Sequence, residues 1–146
     1  MDYLKTMAIS STGMAAEKLR LETVAENIAN MYSSQRGGAV YKPKQVVSGQ
    51  RLAVDFSTFL NPLEGARDNA NAPFAEVKEL ELAPKMVYQP DHPHADAQGY
   101  VAYPNINPVN EMLTLIEASR AYEANVQAVN AAKSMALRAL EIGGKK

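Results

Sequence analysis

Hydrophobic periodicity divides the sequence into a helical opening, an irregular middle and a helical end. In the opening, apolar side chains recur three or four residues apart and form one slowly drifting stripe of a helix, which Ser11 and Lys18 interrupt. Gly13 lies inside this helix, where glycine costs about 1 kcal/mol relative to alanine, and close approach of another helix would explain it. The serines and glycines of residues 33–38 predict that the helix ends shortly before them. The apolar members of the stripe are Leu4, Met7, Met14, Leu21, Ala25 and Ile28.

The closing helix has a sharper beginning. Asn107 is a suitable N-cap, Pro108 has the right fixed φ for the first helical position, and Glu111 stands where the helix dipole favours a carboxylate. No residue breaks the helix before Gly143, so it is expected to run from Pro108 to Ile142. Such a helix is about 50 Å long at about 1.5 Å per residue, which predicts that it needs partners along its length.

Two neighbouring apolar seams run along this closing helix. One partner helix would not cover both of them. Many alanines spread around this helix would permit close approach from several sides, although alanine is also simply the best helix former. The first seam comprises Val109, Met112, Ile116, Val126, Leu137 and Leu140, and the adjacent seam comprises Leu115, Tyr122, Val129 and Ala136.

The middle of the chain predicts short strands with irregular connections. Residues 40–47 form a candidate strand, which Pro43 restricts to a sheet edge or a bulge. Residues 77–82 end in strict alternation, which is typical of a strand with one buried face, and residues 86–88 and 100–103 are shorter candidates. No structure is assigned to residues 51–73. The pattern predicts an α+β fold that is mainly α, divided into residues 1–32, 33–106 and 107–146.

Composition narrows the classes of partner. Fifteen basic residues against 16 acidic ones give a net charge of -1, so no electrostatic argument favours nucleic acid, and protein partners are expected instead. The chain has no cysteine, which excludes disulfides and thiolate metal sites. Its opening residues lack the pattern of a cleavable secretory signal, and no apolar run approaches the roughly 20 residues that span a bilayer.

One short segment could carry chemistry. Residues 91–96 read Asp-His-Pro-His-Ala-Asp, and His92, His94 and Asp96 could offer a metal three ligands. The two prolines, the aspartates and Gly99 favour a simple turn instead. Because the sequence also lacks a phosphate-binding loop and a nucleophile elbow, no catalytic activity, cofactor or small-molecule substrate is predicted.

Both ends of the chain carry motifs that resemble those of a known family. Arg20 with residues 27–30, Asn-Ile-Ala-Asn, and residues 119–125, Ser-Arg-Ala-Tyr-Glu-Ala-Asn, resemble the paired terminal motifs of bacterial flagellar basal-body rod and hook proteins. Residues 41–47, 87–93, 95–96, 99–101 and 104–107 narrow the resemblance to proteins of the proximal rod. A departure follows Asn30, where Met-Tyr-Ser replaces the family's usual small residue and threonine.

The resemblance implies a structural subunit of the hollow drive shaft that crosses the periplasm, transmits torque and passes exported subunits. It implies export through the flagellar type III apparatus without a cleaved signal, and terminal helices that form an antiparallel coiled-coil-like pair lining the inner tube. The implied partners are other rod proteins, copies of itself, the export gate and rod-base adaptor proteins. Motif matches give Arg20, Asn27, Asn30, Arg120, Tyr122 and Asn125 as packing positions, and periodicity adds Met112, Ile116, Val126, Val129, Leu137 and Leu140.

Two other functions stay open at this point. A free helical adaptor or secretion chaperone would explain the long helices without a tube. A metal-binding protein would use the cluster from His92 to Asp96. Neither alternative explains why both ends of the chain resemble the same family.

Overall fold

The computed structural model describes residues 3–35, 39–50 and 73–144, and within these it contains two long helices with four short strands between them. The predicted fold class, α+β and mainly α with a paired set of terminal helices, is confirmed. The three-part division of the chain stays a prediction. In chain order the elements are α1 Tyr3–Asn30, β1 Lys44–Gln50, β2 Pro73–Glu79, β3 Lys85–Tyr88, β4 Tyr100–Tyr103 and α2 Pro108–Gly144.

Helix α1 ends where the sequence predicts. The Asn30 carbonyl accepts hydrogen bonds from the backbone N–H of Ser33 at 2.9 Å and from its hydroxyl at 2.8 Å. The Asn30 carbonyl has no partner within the helix, and these two donors satisfy it. The chain can therefore leave the helix without an unsatisfied acceptor at this position.

Helix α2 begins at its predicted cap and ends later than predicted. Asn107 Oδ1 accepts the backbone N–H groups of Val109 at 3.0 Å and Asn110 at 3.4 Å, which confirms the N-cap. The predicted end at Ile142 is wrong, because the helix continues through Gly143 and Gly144. Glycine lowers helix stability by only about 1 kcal/mol and does not forbid the conformation, so a pair of glycines need not break a helix of 37 residues.

The two helices are antiparallel and packed along their lengths. Gly13 contacts Asn125, and Asn27 contacts Glu111, so a 14-residue step along α1 matches a 14-residue step in the opposite direction along α2. On this register the first described residue of α1, Tyr3, stands level with Met135. Residues 136–144 of α2 therefore extend beyond the described part of α1 by about 13 Å, at about 1.5 Å per residue.

The four strands form two separate antiparallel pairs, β1 with β2 and β3 with β4. Strand β1 starts four residues later than predicted, because Pro43 has no N–H for a ladder and only its carbonyl is used, by Leu80 N–H at 2.7 Å. The expectation of a buried face for residues 77–82 is wrong, since β2 ends at Glu79 and both Val77 and Leu82 are exposed. Strands β3 and β4 confirm the two shorter predictions. The unassigned segment 51–73 lies outside the described residues except for Pro73, the first residue of β2.

Candidate assembly surface

Helix α2 meets α1 along a seam of mainly small or polar side chains, which we call the packed seam. Its members follow alternating steps of four and three residues, the spacing that keeps a stripe facing one neighbouring helix. Ala118 and Ala132 are completely buried, and Asn125 and Val129 are half-buried. The packed seam consists of Glu111, Leu115, Ala118, Tyr122, Asn125, Val129 and Ala132, of which Tyr122 is 36% exposed.

The neighbouring stripe of α2, which we call the open seam, is largely uncovered by the residues that the structure describes. Met112 is 55% exposed, Ile116 is 48% exposed, and Leu140 is 71% exposed, whereas Val126 near the middle is half-buried. The seam is apolar at both ends of the helix, while Glu123 and Lys133 occupy its central part. Large apolar side chains are therefore presented to solvent at two separate places along one face. The apolar members of the open seam are Val109, Met112, Ile116, Val126, Leu137 and Leu140.

The stripe of α1 that faces α2 differs from the one that periodicity indicates. The most buried α1 side chains are Ser10, Thr23, Val24 and Asn27, three of which are polar. The apolar stripe lies on the adjoining face, where Met7, Met14, Leu21 and Ile28 are only half-buried and Ala25 is exposed. A search for periodic apolar residues misses this face because its buried side chains are mostly polar. Thr23 donates to the Leu19 carbonyl at 2.8 Å within its own helix, and among these side chains of the described part of α1 only Asn27 is shown with hydrogen-bond partners distant in sequence.

Gly13 confirms the predicted close approach of the helices. A Cβ atom built on Gly13 would lie 3.1 Å from Asn125 Nδ2 and 3.2 Å from Oδ1. The Asn125 side chain is held in place by a hydrogen bond from its Nδ2 to the Ala121 carbonyl at 3.0 Å. The missing side chain at position 13 thus provides the space that the Asn125 amide occupies.

Asn27 joins three parts of the molecule and is only 1% exposed. Its Oδ1 accepts the backbone N–H of Lys44 at 2.9 Å and the Tyr41 hydroxyl at 3.0 Å. Its Nδ2 donates to the Lys44 carbonyl at 2.7 Å and to Glu111 Oε2 at 3.2 Å. These four hydrogen bonds use the full capacity of a carboxamide and connect α1 to β1, to the segment before β1 and to α2.

Charged and phenolic groups surround this amide. Lys44 Nζ donates to Glu26 Oε1 at 2.6 Å, and this hydrogen bond raises the pKa of Lys44 above its ordinary value. Burial raises the pKa of Tyr41, and the negative charge of Glu26 adds to the effect. The Tyr41 hydroxyl therefore keeps its proton and remains a donor to Asn27 at neutral pH.

The remaining predicted positions fall into different surroundings. Arg20 binds both carboxylate oxygens of Glu17, at 3.0 and 3.2 Å, and reaches the Ser48 hydroxyl at 3.4 Å, so it links α1 to β1. Asn30 donates to the Glu26 carbonyl at 2.9 Å within its own helix. Arg120 and Tyr122 are exposed on α2. A groove of about 410 Å³ lies between α1, β1 and the first turns of α2, and Arg20, Lys44 and Glu111 help to line it.

The two histidines lie in a turn, as the turn interpretation of residues 91–96 predicts. Asp96 Oδ1 accepts the backbone N–H groups of Gln98 at 2.8 Å and Tyr100 at 2.9 Å, and Gly99 has a φ of 84°. His92 Nδ1 accepts the backbone N–H of His94 at 3.1 Å. Within residues 3–35, 39–50 and 73–144, no group of three His, Cys, Asp or Glu side chains is placed to hold a metal ion.

Two tyrosines of the β3–β4 pair contact each other edge to face. The rings of Tyr88 and Tyr100 have centroids 5.4 Å apart, and both are exposed together with Met86. Tyr103 lies apart from them, next to the His92 ring at 6.3 Å, with its hydroxyl donating to Gln89 at 2.8 Å. His94 Nδ1 lies 3.0 Å from the Ser34 hydroxyl, which connects this turn to the segment that follows α1.

Sequence reasoning identifies Asn27 but misses its partners. Asn27 binds the backbone of Lys44 and the hydroxyl of Tyr41. Neither contact produces a periodic pattern in the sequence. Glu111 has a signal of another kind, because its place in the first turn of α2 indicates a helix-dipole role. The structure adds the hydrogen bond that turns this carboxylate toward α1.

Comparison with known proteins gives one consistent result. Residues 97–142 match the family described as flagellar basal body rod FlgEFG protein C-terminal. The flagellar basal-body rod protein FlgC of Bacillus subtilis is 35% identical over 149 residues, which covers 98% of this chain and 99% of the relative. FlgC of Aquifex aeolicus is 36% identical over 143 residues, with 97% of each chain covered, and FlgC of Salmonella typhimurium is 36% identical over 144 residues, with 98% and 99% covered. In the part of the chain that the structure describes, neither helix combines the length and apolar character of a membrane span.

Proposed function

This chain belongs to the FlgC family of flagellar basal-body rod proteins and is a structural subunit of the rod, and we propose that neighbouring subunits cover its open seam. In this proposal the terminal helices supply the packing surface of a hollow shaft. The strands between them face outward and contact adjacent basal-body components. No catalytic step forms part of the proposed role.

One observation carries the proposal. After α1 has packed against α2, the open seam still exposes Met112, Ile116, Leu137 and Leu140 by about half or more. Covering apolar surface contributes about 25 cal/mol per Å² whichever molecule provides the cover. A chain with this surface gains packing free energy from each neighbour that covers it, which is what a polymerising subunit requires.

The neighbours and the route to the rod are parts of the same proposal. We infer that the partners are copies of this chain, other rod proteins, the export gate and rod-base adaptor proteins. The chain would reach the periplasmic rod through the flagellar type III apparatus without a cleaved signal. Torque would be distributed over many lateral contacts between helices. A long contact surface provides such contacts, whereas a single deep pocket does not.

Incorporation of open-seam variants into basal bodies tests the proposal. Leu140→Asp and Ile116→Asp would be expressed as the only copy of the gene, and the amount of the chain in purified basal bodies would be measured. We expect each aspartate to reduce incorporation and swarming strongly, because burying an unpaired carboxylate between helices is costly. Ala128→Asp, an exposed position on the face of the same helix opposite to the open seam, is the matched control and should leave both unchanged.

Two results would count against the proposal. Normal incorporation of both open-seam variants would mean that neighbours do not cover this face. Absence of the unaltered chain from purified basal bodies would exclude the rod role itself and would favour the adaptor alternative.

A further inference from the structure

The edge of β1 meets α1 through a single side chain. In an antiparallel pair, consecutive residues direct their backbone groups alternately toward and away from the partner strand. The Pro43 carbonyl accepts the Leu80 N–H, so it points toward the β2 side, and the backbone groups of Lys44 point the opposite way. The carboxamide of Asn27 binds both of those outward groups: the Lys44 N–H donates to Asn27 Oδ1, and Asn27 Nδ2 donates to the Lys44 carbonyl.

Asn27 thus pairs with β1 as the backbone of a neighbouring strand would. The pairing needs one acceptor and one donor on the same planar group, which a carboxamide supplies and a carboxylate does not. The second Nδ2 hydrogen is directed at Glu111 of α2, and the second lone pair of Oδ1 receives the Tyr41 hydroxyl. The orientation of the amide is therefore set by α2 and by the segment before β1 together.

We propose that Asn27 is a positioning residue that couples pairing of the terminal helices to ordering of β1. When α2 brings Glu111 to the buried amide, Nδ2 and Oδ1 are fixed in the orientation that accepts the edge of β1 at Lys44. When α2 is not packed against α1, the Asn27 amide loses its hydrogen bond to Glu111. The exposed edge of β1 at Lys44 then loses the partner that the oriented amide provides. The consequence for assembly, which rests on the proposed function, is that the strands of a rod subunit become ordered only after its two helices have paired.

Charge at position 27 tests the coupling to Glu111. Asn27→Asp retains shape and acceptors but places a carboxylate beside the Glu111 carboxylate, so we expect incorporation into basal bodies to fall at least about tenfold. Adding Glu111→Gln should recover a large part of the loss, because an amide at 111 donates where the carboxylate repels. Adding Glu117→Gln is the matched control, since Glu117 lines the same groove without contacting Asn27, and it should recover nothing.

Trypsin digestion of the purified chain tests the effect on β1 without any basal body. Lys42 precedes proline and resists trypsin, so cleavage after Lys44 reports specifically on this edge. We expect Asn27→Asp to accelerate that cleavage at least about tenfold, and Asn27→Asp with Glu111→Gln to remain faster than the unaltered chain, because the Lys44 carbonyl still lacks its donor. Glu111→Gln alone should cleave at the unaltered rate, because glutamine also accepts from Nδ2.

The proposal is overturned if cleavage after Lys44 is equally fast in the unaltered chain and in Asn27→Asp. It is overturned as well if Glu117→Gln restores incorporation as fully as Glu111→Gln does, or if neither restores it. Failure of the rod role would appear separately, as absence of the unaltered chain from basal bodies while the trypsin result still stands.

Discussion

The two seams of α2 use opposite kinds of side chain. The packed seam buries alanines completely and leaves room for a polar amide at Asn125, whereas the open seam displays methionine, isoleucine and leucine to solvent. Small side chains let the helices of one chain approach closely, and their burial contributes little transfer free energy per residue. The larger apolar side chains lie on the stripe that the described residues leave largely uncovered. The difference supports the proposal that close approach stabilises the folded subunit and that apolar area drives its association with neighbours.

Enlarging a side chain in the packed seam should have the largest effect. Ala118→Leu introduces three carbon atoms at a position that is 0% exposed, so we expect the free energy of unfolding to fall by about 1–3 kcal/mol. Urea denaturation of the purified chain measures this change. Ala128→Leu, at an exposed position of the same helix, should change stability by no more than about 0.5 kcal/mol. Equal losses in both variants would show that the packed seam is not closely packed.

The contact between Gly13 and Asn125 should produce a smaller, context-dependent effect. Gly13→Ala gains about 1 kcal/mol of helix propensity, but its Cβ would crowd an amide 3.1 Å away. We therefore expect the substitution to raise the free energy of unfolding by about 1 kcal/mol in an Asn125→Ala background and by clearly less in the unaltered chain. A double-mutant cycle by urea denaturation measures the coupling, and identical effects in both backgrounds would contradict close approach at this site.

Polar substitutions in the open seam should have the smallest effect on the isolated chain. Leu140→Gln and Ile116→Gln alter side chains that are already about half exposed or more, so little apolar area returns to water on unfolding. We expect each to change the free energy of unfolding by no more than about 0.5 kcal/mol, measured at low protein concentration. A loss as large as that of Ala118→Leu would mean that these side chains are packed within the chain and that the two seams do not differ.

The sequence predicts the elements of this fold well where local signals decide them. Asn107 and Pro108 give the beginning of α2 because a cap and a fixed φ act within one helical turn. Two apolar seams on α2 are likewise visible from spacing alone, and so is the inability of a single partner helix to cover both. The low helix propensity of glycine predicts the wrong end for α2 at Gly143, because about 1 kcal/mol of lost helix stability does not end a long helix.

The candidate site is less accessible to sequence reasoning. Which seam faces α1 depends on the shape of the opposing surface, and the buried face of α1 is polar where periodicity looks for apolar residues. Family motifs bring Asn27 to notice but do not give its partners, because Lys44 lies 17 residues away in the sequence. The strand boundary at Pro43 follows from a missing N–H, yet the sequence alone does not indicate on which side of proline the strand lies.

The last residues of α2 extend beyond the described part of α1, and this difference in length affects how easily that end of the helix opens. Residues 136–144 have no described stretch of α1 beside them, and Ile142 is 80% exposed, so their backbone hydrogen bonds are protected by a single helix alone. Because this helix end is held mainly by its own hydrogen bonds and contains two glycines, we expect its amide protons to exchange with solvent much faster than those near Ala118. We therefore expect residues 136–144 to open locally while the paired part of the two helices stays closed.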